Sequence, residues 1–222
     1  MSLVVLFDID GTLIDTGGAG GTAMRNAFRK VFGVERPSNV PYSGRTDRNI
    51  GGAMLTVHGL EDNANNWDRL RSAYLEELAI QLPQHDGRTL AGVESLIEEL
   101  QGRPETAIGL LTGNLRRAAT LKLSHYGLAE PFTFGGFGDD HHSRDRVAQA
   151  ALEEAMAVIG GAPSRCVVVG DTPHDVTCAR AIEAEVIAVS TGIHPRDELA
   201  EAQPDLLVDD LTGVGSFFAR SE

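Results

Sequence analysis

Positive charge is scarce in this chain, and lysine scarcest of all: of 19 basic residues, only Lys30 and Lys122 are lysines. Acidic residues number 32, leaving a net charge of −13. No basic stripe is left to make a nucleic-acid footprint, and an anionic ligand must rely on local positive charge to be held. Cysteine is scarce too. Cys166 opens an apolar run and Cys178 lies in a helical pattern, so both read as core packing in a reducing compartment rather than as a disulfide framework. No apolar run approaches the eighteen residues of a membrane helix. The first apolar run is short and has no basic segment before it, so a secretory signal is not expected either. The composition predicts a soluble cytoplasmic protein and sets no oligomeric state.

What the chain does have begins at once. Leu3-Val4-Val5-Leu6-Phe7 is apolar without alternation, as in a strand covered on both faces. It ends on Asp8, with Asp10 two residues on, then Gly11, Thr12 and Asp15. Two carboxylates so close repel unless protonated, separated or bridged by a cation. Mg²⁺, a hard ion that takes one or two carboxylates plus substrate phosphate, is the natural bridge. Gly11 permits a tight turn, and Thr12 offers an N–H and a hydroxyl.

Residues 17–82 carry no strand pattern. Gly17 to Thr22 is glycine-rich but lacks the lysine of a nucleotide loop, so it reads as a hinge. Met24, Ala27, Phe28, Val31 and Phe32 then recur at helical spacing. Further helices are predicted over Asp47 to Val57 and Asn66 to Leu82. From Leu90 the pattern alternates. Strands are predicted at Ala107 to Leu111, Phe132 to Phe134, Cys166 to Val169, Val186 to Val189 and Leu206 to Val208. Helices are predicted at Leu115 to Tyr126, Arg144 to Ile159 and Pro173 to Ile182. Alternation of this kind gives parallel βαβ units with right-handed crossovers. The expected architecture is α/β: an open Rossmann-like parallel sheet with helices on both faces (residues 1–16 and 83–222), and a small all-helical cap (17–82) inserted after the first strand.

Three apolar runs end on polar residues: Asp8, Thr112 and Asp171. In a parallel sheet those carboxyl ends share one edge, where open α/β sheets bind ligands. The edge gathers Asp8, Asp10, Thr112, Asn114, Asp171 and Asp175. Several acids suit Mg²⁺, and Thr112-Gly113-Asn114 supplies donors for a phosphate. A carboxylate can attack phosphorus in line and form an aspartyl-phosphate.

The string Asp8-Ile9-Asp10-Gly11-Thr12-Leu13-Ile14-Asp15-Thr16 resembles the nucleophile motif of the haloacid dehalogenase superfamily in its phosphatase form. Leu110-Leu111-Thr112-Gly113-Asn114 and Gly170-Asp171-Thr172-Pro173-His174-Asp175 resemble its second and acidic motifs. The resemblance implies Asp8 as nucleophile, Asp10 as general acid/base with its main-chain carbonyl near the metal, and Thr112 at the phosphate. Gly11, Thr12, Gly113 and Asn114 would assist in phosphate binding, and Asp171 and Asp175 in holding Mg²⁺. The family's usual lysine before the next helix is missing, since neither Lys30 nor Lys122 stands there. Arg144 is expected to replace it by gripping phosphate with a guanidinium, with Arg146 the alternative. Asp139-Asp140-His141-His142 reads as a polar loop, because consecutive side chains rarely converge on one ion.

Ser43-Gly44-Arg45-Thr46-Asp47 is similar to segments in caps of phosphoglycolate phosphatase-like members. Arg45 is a candidate substrate contact there, against the plainer reading of Thr46 as a helix N-cap with Arg45 in solvent. The resemblance implies a Mg²⁺-dependent hydrolase of a small phosphate ester. The alternatives are a mutase of the β-phosphoglucomutase type and a catalytically silent binding protein. Such mutases carry a histidine where this chain has Gly20, and a silent protein has no need of Asp8, Asp10, Thr112 and Asp171 together.

Overall fold

The computed structural model describes residues 2–139 and 143–219. It opens with β1 (Leu3–Phe7) and the short β2 (Ile14–Asp15). Three helices follow: α1 (Ala19–Phe32), α2 (Asp47–Val57) and α3 (Ala64–Gln81). Beyond them come β3 (Arg88–Thr89), α4 (Val93–Gln101), β4 (Thr106–Leu111), α5 (Arg116–His125) and β5 (Gly135–Gly136). The chain ends through α6 (Arg144–Ile159), β6 (Arg165–Gly170), α7 (Pro173–Arg180), β7 (Glu185–Val189), α8 (Arg196–Glu201), β8 (Leu206–Val208) and α9 (Gly215–Phe218).

The main sheet has six strands in the order β5-β4-β1-β6-β7-β8, all parallel. β1 lies at its centre, where the order of connection reverses, and every one of its residues is buried. Its alternate side chains feed two cores. Val5 and Phe7 join Val93, Leu96, Ile97 and Leu100 of α4 on one face. Val4 and Leu6 join Val147, Ala148 and Ala151 of α6 and Val176 of α7 on the other. Burial on both faces is why β1 reads as an unbroken apolar run.

A third core holds the helical segment together. Met24 and Phe28 of α1, Ile50 and Met54 of α2, and Leu70, Tyr74 and Leu78 of α3 pack with Leu115 and Ala118, which belong to the other part of the chain. α1 ends at Gly33 in the left-handed region, its N–H bonded to the Arg29 carbonyl. Thr46 caps α2 by accepting from the Asn49 N–H, as one of the two readings of that segment expected.

Besides the short α8 and α9, which were not expected, and shifts of one or two residues at helix ends, the structure departs from the expected elements in three places. The edge strand is Gly135–Gly136, not Phe132 to Phe134. The Phe134 ring lies over Gly109, and a Cβ at Gly136 would meet the Val147 carbonyl of α6. Only glycine lets the edge strand slide beneath that helix. The glycine run is also not a free hinge. Gly17 and Gly18 have positive φ, but Gly20 and Gly21 lie inside α1. Finally, Ile14–Asp15 and Arg88–Thr89 pair as an antiparallel ribbon on either side of the three helices. Two-residue strands are too short to show a period. No described helix is long and apolar enough to cross a membrane.

Candidate functional site

The register of the sheet sets the site. Phe7 pairs with Leu110 on one side and Val169 on the other, so the residues that follow these three emerge side by side. The Asp8 N–H donates to the Val169 carbonyl at 2.9 Å, which fixes Asp8 against the strand leading to Asp171. Asp175 reaches the same place from the first turn of α7, where it forms a capping box with Thr172. Oxygens of Asp8, Asp171 and Asp175 lie within 4.8 Å of one another, and all three residues are buried.

Burial pushes the Asp8 carboxyl up to about 6; Arg144 opposes the shift, and Asp175 and Asp10 add to it. Burial likewise holds Asp171 well above the usual carboxylate range, with Asp175 and Asp8 adding to the effect. Three buried, mutually repelling oxygen donors fit a hard divalent cation, whose charge would offset both burial and repulsion. Asp10, expected among the metal ligands, directs its carboxylate elsewhere, so only its main chain remains for that role. Both carboxylate oxygens of Asp175 already hold partners: Oδ1 takes Arg144, and Oδ2 accepts from the Thr172 N–H and hydroxyl.

Arg144 is the first residue of α6 and has 7% of its side chain exposed. Its Nη1 lies 3.6 Å from Asp8 Oδ1, and its Nη2 bonds Asp175. Burial works against its charge, but the two carboxylates outweigh that and raise its pKa above the usual arginine value. Arg146 instead stays at the surface on Gln149. The sequence carries the distinction. Arg144 precedes Val147, Ala148 and Ala151 at helical spacing and shares their buried face; Arg146 does not. In the acidic-histidine run, Asp139 accepts from the Arg116 N–H at 2.8 Å, whereas Asp140, His141 and His142 lie outside the described residues.

A second group of side chains surrounds Asp10. Its Oδ2 accepts from Asn114 Nδ2 at 2.8 Å and from Lys122 Nζ at 2.6 Å. Asn114 Nδ2 also donates to Thr112 Oγ1 at 2.8 Å. Thr112 is fully buried, with its hydroxyl oxygen held by Asn114. Sequence reasoning missed Lys122, although Leu115, Ala118, Ala119, Lys122 and Leu123 form a single helical face. A charge on an apolar stripe was the available signal. It also missed Asp47, which is buried and whose Oδ2 accepts from the Leu115 N–H at 2.8 Å. Burial raises the Asp47 carboxyl to about 6, and the Lys122 charge opposes the shift.

A cavity of about 530 Å³ lies between the sheet edge and the helical segment, lined by several of these groups but not by Thr112 or Asp175. Asp8, Asp10, Gly11, Gly113, Asn114, Arg144 and Asp171 line its sheet side, and Met24, Arg45, Asp47, Ile50 and Tyr74 its helical side. Gly11 has positive φ, and a Cβ there would meet the Asp171 carboxylate. Both donors of Thr12, expected at the phosphate, have other partners: its hydroxyl donates to Asp171 Oδ1 at 3.2 Å and its N–H to the Ile9 carbonyl at 3.3 Å. Arg45 is exposed and donates to Asn49 Oδ1 at 3.3 Å, beside the cavity.

The helical segment docks through backbone and side chains alike. The Asp47 N–H donates to the Gly113 carbonyl at 2.7 Å, and Ser43 Oγ lies 2.8 Å from His194 Nε2. A Cβ on Gly113 would meet the Arg45 carbonyl, and one on Gly44 would meet the His174 ring. Gly113 has ordinary φ, so alanine there obstructs only this contact. Gly113→Ala is expected to lower kcat/KM by up to about 10²-fold through misplacement of the cavity wall, and to lower the melting temperature as well, because backbone rather than a side chain must move. Steady-state kinetics and a thermal melt check this; an unchanged kcat/KM would show that close docking at Gly113 is not required.

The chain is similar to known proteins along most of its length. Residues 5–189 match the family model described as haloacid dehalogenase-like hydrolase. A pyrophosphatase, PpaX, from Oceanobacillus iheyensis is 26% identical over 222 residues, covering 97% of this chain and 98% of the relative. A phosphoglycolate phosphatase from Synechococcus elongatus is 29% identical over 213 residues, covering 92% of each. The crystal structure of CbbY from Rhodobacter sphaeroides in complex with phosphate superposes with a TM-score of 0.76 over 97% of both chains, at 20% identity.

Proposed function

The chain belongs to the haloacid dehalogenase-like hydrolase family, and from that premise we propose that it is a Mg²⁺-dependent phosphomonoesterase of a small phosphorylated metabolite, working through an aspartyl-phosphate on Asp8. The observation that carries this reading is the grouping of Asp8, Asp171 and Asp175 within 4.8 Å, with Arg144 against two of them. In this reading Asp8, Asp171 and Asp175, with the Asp10 main chain, would hold the cation, which would supply positive charge against the phosphoryl group. Residues 17–82 act as the cap over the site, and Arg45 stands ready at the cavity rim for an anionic group.

Asp8 attacks phosphorus in line while Asp10 gives its proton to the departing ester oxygen. Asp10 then takes a proton from water as the water oxygen attacks the phosphoryl group, which frees Asp8 and regenerates the acid. Arg144 stays charged throughout and offsets negative charge on the transferring group. Gly113 and Asn114 wall the site beside Thr112. The S. elongatus relative's name, phosphoglycolate phosphatase, supports a small acidic metabolite as the first substrate to try.

Release of inorganic phosphate from aryl and alkyl phosphates, measured with Mg²⁺ and with EDTA, tests the reading. EDTA is expected to abolish turnover and Mg²⁺ to restore it, and beryllofluoride with Mg²⁺ is expected to block the enzyme at Asp8. Mg²⁺ is also expected to raise the melting temperature, more at pH 8 than at pH 5, because only ionised carboxylates bind it. Turnover that survives EDTA would overturn the metal-dependent mechanism.

A further inference from the structure

Lys122 is buried, with 4% of its side chain exposed. A buried ammonium is costly unless its protons find acceptors. Two acceptors stand at 2.6 Å: Oδ2 of Asp10 and Oδ1 of Asn114. Asn114 closes the triangle by donating to the same Asp10 oxygen at 2.8 Å. The ammonium sits between α1 and α2 at the cavity wall. A Cβ on Gly20 of α1 would lie 3.5 Å from Lys122 Nζ, and the Asp47 carboxylate of α2 feels the lysine charge from the helical side.

The consequence falls on Asp10. Its Oδ2 faces two donors, and its side chain remains 41% exposed at the cavity. When this carboxyl is protonated, the proton cannot sit on an oxygen that two N–H groups already point at, so it must sit on Oδ1. A general acid needs its proton on the oxygen that meets the leaving group.

We propose that Lys122 is a positioning residue that, with Asn114, grips Asp10 through Oδ2 and so presents the proton on Oδ1 to the ester oxygen of the substrate. This rests on the phosphomonoesterase reading above. The proton on Oδ1 passes to the bridging oxygen as the P–O bond breaks and the Asp8–phosphorus bond forms; Oδ1 later receives one from the attacking water.

Leaving-group dependence tests this. A simple alkyl phosphate needs its departing alkoxide protonated; p-nitrophenyl phosphate does not. Because kcat/KM reports only the steps through phosphoryl transfer to Asp8, it isolates the acid step. Lys122→Met is expected to lower kcat/KM for the alkyl ester by roughly 10²-fold and to leave that for p-nitrophenyl phosphate nearly unchanged. Lys122→Gln keeps one donor and is expected to fall between wild type and Lys122→Met; it carries the same comparison if the Met variant does not fold. Equal losses on both esters, or no loss on either, overturn the proposal while leaving the phosphomonoesterase reading intact. A wild-type protein with no activity on any phosphate ester, with Mg²⁺ present, would overturn both.

Discussion

Asp8→Asn is expected to abolish phosphate release, lowering kcat by roughly 10⁴-fold or more, because an amide cannot serve as the nucleophile. Substrate binding should survive, since the variant loses a negative charge that repels the phosphate. A second effect has a defined sign. The folded-state value of about 6 for Asp8 lies above the usual 3.8, so without a cation the folded protein holds a proton that the unfolded chain releases. Stability from this group is therefore lost as pH rises through that window. Asn removes the cost, so the cation-free variant should melt with wild type near pH 4 and above it at pH 8. The difference should be about 3 kcal/mol. Kinetics and melts across pH read both effects. Residual turnover within tenfold of wild type would rule out Asp8 as the nucleophile, and a stability difference independent of pH would rule out burial of its charge as the cause.

Arg144→Met is expected to be nearly as damaging, for a different reason. The guanidinium is the cation that offsets Asp8 and Asp175 at once. Its loss leaves two buried carboxylates uncompensated, at a cost of about 3–5 kcal/mol for a broken buried pair. It also removes positive charge from the transferring phosphoryl group, worth roughly 10²–10³-fold in kcat. Arg144→Lys should recover only part of either loss, because an ammonium is a point charge and cannot bridge two carboxylates as a planar fork does. Equal activity in the Lys and wild-type proteins would show that charge alone suffices there. An unchanged melting temperature for Arg144→Met would mean that the ion pairs contribute nothing to stability.

The same distinction between local pattern and assembled geometry runs through the fold. β1 could be read from Leu3 to Phe7 because a central parallel strand must be apolar on both faces, and that requirement is written in consecutive residues. α2 and α6 were likewise bounded as expected, Asp47–Val57 and Arg144–Ile159, since caps and the 3.6-residue period are local signals. The edge strand was misplaced because Phe132 and Phe134 have strand character, but the position that fits beneath α6 belongs to two glycines. Propensity yields there to the space available.

The sequence by itself determined the α/β class, the family, and the convergence of Asp8, Thr112 and Asp171, since parallel strands bring their carboxyl ends to one edge whatever the intervening length. It could also rank Arg144 over Arg146, through the buried face of one helix. Only the tertiary structure decided the partners. That Lys122 and Asn114 share one oxygen of Asp10 and that Asp47 closes on the Leu115 N–H depend on how α2 and α5 come to rest, and that Thr12 turns to Asp171 depends on β1 lying beside β6. Each of those contacts joins residues with no common period. The burial of Lys122 could be read from its helix face, but its bond to Asp10 across 112 positions could not, because the partner is set by where whole helices come to rest.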